Sequence, residues 1–144
     1  MRGAALTRRV RFSATHRYHR PEWTEAQNVA AFGPCAAPEP HGHDYTCDVT
    51  VVGEVDPTTG MVVDLGLLDR VIHDEVVFPL HGRLVNDAFA VFKPGGMIPT
   101  CEVLARVIAE RIGSAMLAAG SPSRVQAVRV AEDDTLSASW TADA

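Results

Sequence analysis

The run Asp-Tyr-Thr-Cys-Asp-Val-Thr-Val at residues 44–51 decides the fold class, because polar and apolar residues alternate along it. Side chains of a β-strand point alternately to its two faces, so the apolar residues of this run share one face. We therefore predict a strand over residues 44–56. Residues 56–60 (Asp-Pro-Thr-Thr-Gly) are typical of a turn, and residues 61–63 (Met-Val-Val) start a short strand that would make 44–64 a hairpin.

The same patterns extend in both directions along the chain. On the N-terminal side we predict a strand over 6–15 and a long loop or loosely helical insert over 19–40. On the C-terminal side, apolar residues at helical spacing predict a helix from residue 65 that ends at Pro79, and a second helix over 100–119. Residues 80–99 are irregular in pattern, and strands are expected at 125–131 and 136–140.

Strands and helices are segregated in this order, which predicts a single α+β domain over residues 1–144 with an antiparallel sheet. The chain has 47% hydrophobic and 22% charged residues and a formal net charge of −5, so we expect no nucleic-acid partner. No apolar run is long enough to cross a membrane, and the N-terminal arginines are not followed by an apolar stretch. With only three cysteines, we expect a cytoplasmic protein without a disulfide framework.

Histidines form the most informative local motif. In His41-Gly42-His43 two imidazoles share one face of an extended chain, and His16 follows a strand that could supply a third. Three neutral imidazoles with one open position are the ligand set of a catalytic zinc ion. Spacing alone also leaves His19, His73 and His81 as third ligands, and histidines in a turn before a strand are common without a metal.

These residues resemble one family, the 6-pyruvoyltetrahydropterin synthases and their relatives, the 6-carboxytetrahydropterin synthases. The similar segments stand in the family's order along nearly the whole chain: 12–18 (Phe-Ser-Ala-Thr-His-Arg-Tyr), 32–35 (Phe-Gly-Pro-Cys), 41–45 (His-Gly-His-Asp-Tyr), 55–65, 99–105 and 128–132. The resemblance implies a four-stranded antiparallel sheet with two helices on one face, the tetrahydrobiopterin-synthesis T-fold. It also implies a homohexamer, built as a dimer of trimers, with active sites between subunits.

The resemblance further implies a site. Zn²⁺ held by His16, His41 and His43 would chelate the side-chain hydroxyls of 7,8-dihydroneopterin triphosphate, and Cys35 would move protons on that side chain with a pKa lowered by the zinc. Glu132 would accept hydrogen bonds from the pterin ring. Thr100 and Glu102 would line the same pocket, although a helix cap and a first-turn carboxylate explain these two residues as well.

One segment departs from the family pattern. The family carries an Asp-His pair that relays protons with the cysteine, and here Leu80-His81-Gly82 stands in its place. Without a gap, His81 falls at the Asp position and Gly82 at the His position; with a shift of one residue, His81 falls at the His position and Leu80 replaces the Asp. The relay is incomplete in both alignments. The Cys-x5-His spacing favours the 6-pyruvoyl branch, a lyase that removes triphosphate. The incomplete relay keeps three alternatives open: side-chain cleavage as in the 6-carboxy branch, a diverged enzyme with another substrate, and a pterin binder without turnover.

Overall fold

The computed structural model describes residues 3–143, so Met1, Arg2 and Ala144 of the expected domain lie outside the described residues. Two long strands dominate the fold, and three shorter strands complete one sheet. The strands are β1 (Gly3–His16), β2 (His41–Glu54), β3 (Arg83–Leu84), β4 (Arg124–Ala131) and β5 (Ser137–Thr141). The predicted strand positions are thus confirmed for β1, β2, β4 and β5, with β1 and β2 starting three residues earlier than expected.

The sheet has the strand order β3-β1-β2-β4-β5 and is mixed. Neighbouring long strands are antiparallel, and the pairing places His16 opposite His41 and Ala14 opposite His43. β3 runs parallel to β1 over two residues. The expectation of four antiparallel strands was therefore wrong in one respect, because a fifth, parallel strand lies at the edge of the sheet. It forms because the backbone N–H of Gly82 donates to the carbonyl of Ser13 (2.6 Å) and guides the chain along the free edge of β1.

The expected hairpin over 44–64 is also wrong, since residues 61–63 form no strand. Both edges of β2 are already occupied, one by β1 and the other by β4, so no ladder position remains for them. The turn at 56–60 does form, with the N–H of Asp56 donating to the carbonyl of Met61 (2.9 Å). The carbonyl of Val62 instead accepts a hydrogen bond from the Ser123 hydroxyl.

The insert at 19–40 takes the helical alternative. It contains α1 (Glu25–Phe32), which begins with a reciprocal capping box between Thr24 and Gln27, and a 3₁₀ turn (Gly33–Ala36). The first predicted helix is α2 (Leu65–Ile72), which continues through a π-helical turn (His73–Val77) into α3 (Phe78–Leu80). Pro79 therefore lies inside the last turn rather than ending the helix, because the π turn accommodates its missing N–H.

The second predicted helix is confirmed as α5 (Cys101–Ala118), and Thr100 caps it by accepting from the N–H of Val103 (3.2 Å). Between α3 and α5 the chain forms β3, α4 (Val85–Ala88) and a 3₁₀ turn (Ala90–Phe92). In the part of the chain that the structure describes, no helix is long and apolar enough to cross a membrane.

The core lies between one face of the sheet and the helices α2 and α5. The alternating residues of β2 that were expected to share a face, Tyr45, Cys47, Val49 and Val51, are all at most 1% exposed and pack in this core. The apolar stripe of α5 meets them with Leu104, Ile108 and Ile112. Because this packing fixes which face of β1 and β2 points inward, it also fixes the direction of their histidines.

Candidate metal centre and active site

Three histidines converge where β1 ends and β2 begins. His16 is the last residue of β1 and pairs with His41, the first residue of β2, and His43 follows on the same face of β2. One ring nitrogen from each lies within 4.8 Å of those of the other two, and the Nε2 atoms of His16 and His41 are 3.1 Å apart. Among residues 3–143, none of the other predicted third ligands, His19, His73 or His81, joins this group.

His16 is oriented by a second residue of β2. Its side chain is fully buried, and its Nδ1 lies 2.6 Å from the hydroxyl of Tyr45. Burial, followed by the neighbouring His43 and His41, lowers the pKa of His16 to about 4, so the imidazole is neutral at physiological pH. When Nδ1–H donates to the Tyr45 oxygen, Nε2 presents its lone pair to the other two histidines, as a metal ligand must.

The third histidine has an unused ring nitrogen. Within the described chain, Nε2 of His43 is buried and has no hydrogen-bond partner. A buried polar atom without a partner is costly unless something else satisfies it, and a metal ion does so. The donor set of three imidazole nitrogens, one of them oriented and one unpartnered, therefore fits a divalent metal ion.

Cys35 lies beside this group on the 3₁₀ turn. Its Sγ is 3.6 Å from Nε2 of His41 and 4.0 Å from Nε2 of His16. The turn is held in place because the N–H of Tyr18 donates to the Cys35 carbonyl (2.8 Å), and the Arg17 guanidinium donates to the carbonyl of Ala37 (3.0 Å). The thiol and the histidines, which the sequence motif Cys-x5-His predicted to share a site, therefore lie next to each other.

Without a metal, the protein groups around Cys35 shift its pKa in the direction opposite to the one expected with zinc. Partial burial, followed by the nearby Glu132 carboxylate, raises the pKa of the thiol above its ordinary value. The protein groups alone therefore favour the neutral thiol. The expected lowering of its pKa requires the positive charge of a bound metal.

Glu132 follows the last residue of β4 and points into the same cluster. Its Oε2 lies 3.8 Å from Nε2 of His43 and 3.9 Å from the Cys101 thiol, and its side chain is only 12% exposed. A solvated turn carboxylate would not be enclosed in this way. Thr100 and Glu102 show only their structural roles, as the cap and exposed first turn of α5, so their part in lining a pocket stays a prediction.

His81 lies in different surroundings from the predicted site. It is exposed, and its Nδ1 accepts the backbone N–H of Ser13 (3.1 Å) at the edge of β1 that faces β3. Within residues 3–143, His81 has no hydrogen bond to Cys35 or to the histidine group.

Sequence reasoning missed three supporting residues. Tyr45 orients His16, and Tyr18 packs against His16 with its ring tilted. The Asn86 carboxamide both accepts from the N–H of Arg17 (3.0 Å) and donates to its carbonyl (2.8 Å). Tyr45 was signalled by its place two residues after His43, on the same face of the strand. Asn86 carried no local signal, because its partner is 69 positions away.

Comparison with known proteins identifies the family of this chain. The profile of the 6-pyruvoyl tetrahydropterin synthase family matches residues 5–143, which is nearly the whole chain. The chain belongs to this family. Membership confirms the resemblance carried by the sequence motifs.

Individual relatives of this chain are named 6-pyruvoyl tetrahydrobiopterin synthase. A 6-pyruvoyl tetrahydrobiopterin synthase of Poecilia reticulata is 34% identical over 111 residues, covering 77% of this chain and 74% of the relative. The human enzyme of that name is 42% identical over 85 residues, and the match spans 58% of this chain and 59% of the relative. The match to the Pongo abelii relative likewise spans 59% of that protein.

Solved structures agree on the fold. The 6-pyruvoyl tetrahydropterin synthase of Caenorhabditis elegans superposes with a TM-score of 0.89 at 29% identity, covering 99% of this chain and 98% of that chain. The Plasmodium vivax structure of the same name has a TM-score of 0.67 at 13% identity, which supports the fold alone.

Proposed function

We propose that this protein is a zinc-dependent 6-pyruvoyltetrahydropterin synthase, which converts 7,8-dihydroneopterin triphosphate to 6-pyruvoyltetrahydropterin with loss of triphosphate. The observation that carries the proposal is the thiol of Cys35 lying 3.6 Å from a nitrogen of the three-histidine group. A metal-binding group with a protonatable thiol beside it suits proton transfers on a substrate side chain that the metal holds. The names of the relatives support the pterin substrate.

His16, His41 and His43 would hold the zinc. The distance of 3.1 Å between the nitrogens of His16 and His41 is close to the separation of about 3.3 Å that two nitrogens have around tetrahedral zinc. When bound, zinc would polarise the side-chain hydroxyl oxygens of the substrate and make the neighbouring C–H bonds more acidic.

The other residues have separate tasks. Cys35 would take a proton from the side-chain carbon and return it to the neighbouring one, since its thiol reaches the same space as the histidine nitrogens. Glu132 would accept hydrogen bonds from the N–H groups of the pterin ring and so align the side chain with Cys35. Thr100 and Glu102 would line the ring pocket.

His81 fits this scheme only across an interface. It is exposed and bonded to Ser13, so a catalytic role requires that it serve the site of a neighbouring chain. The homohexamer with interfacial sites, which the family resemblance implies, would provide that arrangement. The protein would then act in the cytoplasm as an assembly rather than as a monomer.

A second candidate function rests on the segment Leu80-His81-Gly82. No carboxylate of this segment orients His81, whose Nδ1 is engaged by a backbone N–H. A histidine whose Nδ1 accepts a backbone N–H differs as an acid–base group from one that a carboxylate orients. The alternative is therefore another reaction on the same scaffold: side-chain cleavage as in the 6-carboxy branch, or a reaction of a different substrate. Pterin binding without turnover is the third.

The deciding experiment is an anaerobic incubation of zinc-loaded protein with 7,8-dihydroneopterin triphosphate, analysed by mass spectrometry. Release of triphosphate with a 6-pyruvoyl product supports the main proposal. A product shortened at the side chain supports the second candidate. Unchanged substrate, with zinc present by elemental analysis, contradicts triphosphate release and side-chain cleavage and leaves a different substrate or pterin binding without turnover.

Variants separate the roles of the site residues. We expect Cys35→Ala to abolish turnover while zinc content and pterin affinity stay near wild type. We expect His41→Ala to lose zinc, whereas His73→Ala, which removes an exposed histidine outside the group, keeps it. Turnover that survives Cys35→Ala would contradict the proposed base.

A further inference from the structure

A cavity of about 280 Å³ adjoins the turn that carries Cys35. Two of its lining residues are direct chain neighbours of the histidine group, since Arg17 follows His16 and Pro40 precedes His41. The Arg17 side chain also bonds to the backbone of the two residues that follow Cys35. Because small-molecule sites usually measure about 300–1,000 Å³, this cavity has room for a part of a ligand rather than for the whole of one.

The guanidinium of Arg17 has binding capacity left. Its Nε and Nη2 atoms donate to backbone carbonyls, whereas Nη1 has no hydrogen-bond partner among residues 3–143. In the same part of the chain, no carboxylate forms a salt bridge with Arg17. The Asn86 carboxamide, which also lines the cavity, fixes the backbone of Arg17 at both its N–H and its carbonyl. A positioned guanidinium without a counter-ion suits an anionic ligand.

A second cation lines the same cavity. Lys93, the only lysine of the sequence, places its Nζ 3.9 Å from the Asp87 carboxylate, and the two side chains are 55% and 68% exposed. Such an exposed pair contributes little stability, so the ammonium can bind another anion at small cost. The turn that follows Lys93 is constrained, because Gly95 has a φ of +84° and a Cβ on Gly96 would collide with the carbonyl of Val91.

The lining of this cavity favours a phosphate group. Two of its side chains are positively charged and one is negatively charged, and Nδ1 of His19, another lining residue, is buried without a hydrogen-bond partner within the described chain. The whole chain has a formal net charge of −5, so a polyanion needs local cations to approach it. Phosphate oxygens accept hydrogen bonds from guanidinium and ammonium groups and balance their charge.

We propose that this cavity binds the triphosphate of the substrate, with Arg17 and Lys93 as its cationic partners. In this arrangement the triphosphate lies beside the turn that carries Cys35, while the pterin ring lies at Glu132. Asp87 opposes the binding, since its negative charge lies at the same cavity. The inference rests on the proposed pterin function and names the residues that distinguish the triphosphate ester from free 7,8-dihydroneopterin.

The test compares two ligands, 7,8-dihydroneopterin triphosphate and 7,8-dihydroneopterin, by isothermal titration calorimetry. Zinc-loaded Cys35→Ala protein is used as the parent, because it is expected to bind the substrate without turnover. We expect Lys93→Gln to raise the Kd of the triphosphate about three- to tenfold, as for one half-exposed charge, and Asp87→Asn to lower it by a similar factor. Neither change should alter the Kd of 7,8-dihydroneopterin by more than about twofold, because that ligand has no phosphate charge. Arg106→Gln and Glu110→Gln, which remove the same charges from an exposed pair outside the cavity, are matched controls and should alter neither Kd.

The outcomes separate this inference from the proposed function. If the parent binds both ligands and Lys93→Gln leaves the Kd of the triphosphate unchanged, the cavity does not bind the triphosphate and the pterin function stands. The inference is also overturned if Lys93→Gln weakens both ligands equally, or if Arg106→Gln weakens the triphosphate as much as Lys93→Gln does. If the parent binds neither ligand, the proposed function fails and the inference fails with it. Arg17 is left unchanged in this test because it also holds the turn of Cys35.

Discussion

The replacement Tyr45→Phe tests whether the structure has identified how the metal ligands are oriented. It removes the hydroxyl that lies 2.6 Å from Nδ1 of His16 and keeps the ring, which stacks on Phe12 with centroids 5.0 Å apart. The variant therefore changes one hydrogen bond and leaves the packing volume nearly constant. The predicted loss is specific to the metal group.

Two magnitudes follow from the burial of His16, which is fully enclosed in the core. Loss of the partner that orients a metal-binding histidine typically lowers metal affinity about 10- to 100-fold. In the metal-free protein, Nδ1 of His16 would lose its partner away from water, which costs about 1–3 kcal/mol of folding stability. Both effects should appear together, since they arise from one bond.

Zinc affinity is measured by chelator competition, and the stability of the chelator-treated protein by urea denaturation. Tyr18→Phe is the matched control, because it also removes one phenolic oxygen near His16 but, within the described chain, no hydrogen bond to it. We expect zinc affinity to fall in Tyr45→Phe and to stay unchanged in Tyr18→Phe. Equal zinc affinity and equal urea midpoints in Tyr45→Phe and wild type would refute the reasoning.

Three further predictions concern acid sensitivity, helix packing and the thiol. The pKa of His16 is lowered from its ordinary value of 6.5 to about 4, so the unfolded chain binds this proton at a higher pH than the folded chain does. Chelator-treated protein should therefore lose on the order of 3 kcal/mol of stability as the pH falls from about 6.5 to about 4. In denaturation measurements across this range, the stability of His16→Asn should depend less on pH. Arg111 forms a salt bridge with the carboxylate of Glu75 (2.7 Å) and donates to its carbonyl (3.1 Å), so Arg111→Ala should cost about 1–3 kcal/mol in urea. Arg106→Ala, which breaks an exposed pair, should cost less than about 0.5 kcal/mol, and equal costs would contradict the account. Zinc loading should make the Cys35 thiol react faster with iodoacetamide near neutral pH than in zinc-free protein, because the ion lowers a pKa that the protein alone raises; the same rate in both forms would exclude that effect.

The histidine group could be predicted because it depends on local patterns. Alternation along β2 placed His43 and Tyr45 on the buried face, and the strand leading to His16 had matching character. Both patterns extend over only a few residues, so the sequence alone shows which side chains share a strand face. The ordered family motifs then supplied Cys35 and Glu132, which spacing alone would not have selected.

The strand β3, the conformation of residues 61–63 and the surroundings of His81 all depend on relations between distant segments, which the sequence did not show. β3 has two residues, too few for any alternation to show. Residues 61–63 have strand composition, but both edges of β2 were already taken by β1 and β4. The partner of His81 is Ser13, 68 positions earlier, and no local pattern records that contact. In each case, competition for hydrogen-bonding edges decided the outcome.

The pairing of His16 with His41 has a consequence for how the chain assembles. The two residues are 25 positions apart and meet only when β1 and β2 align as they do here. A slip of one residue would turn the histidines of one strand to the opposite face and separate the nitrogens. An ion bound there would therefore stabilise the correctly aligned chain and no slipped one. Protein folded without the metal would therefore include more chains with slipped strands than protein folded with it.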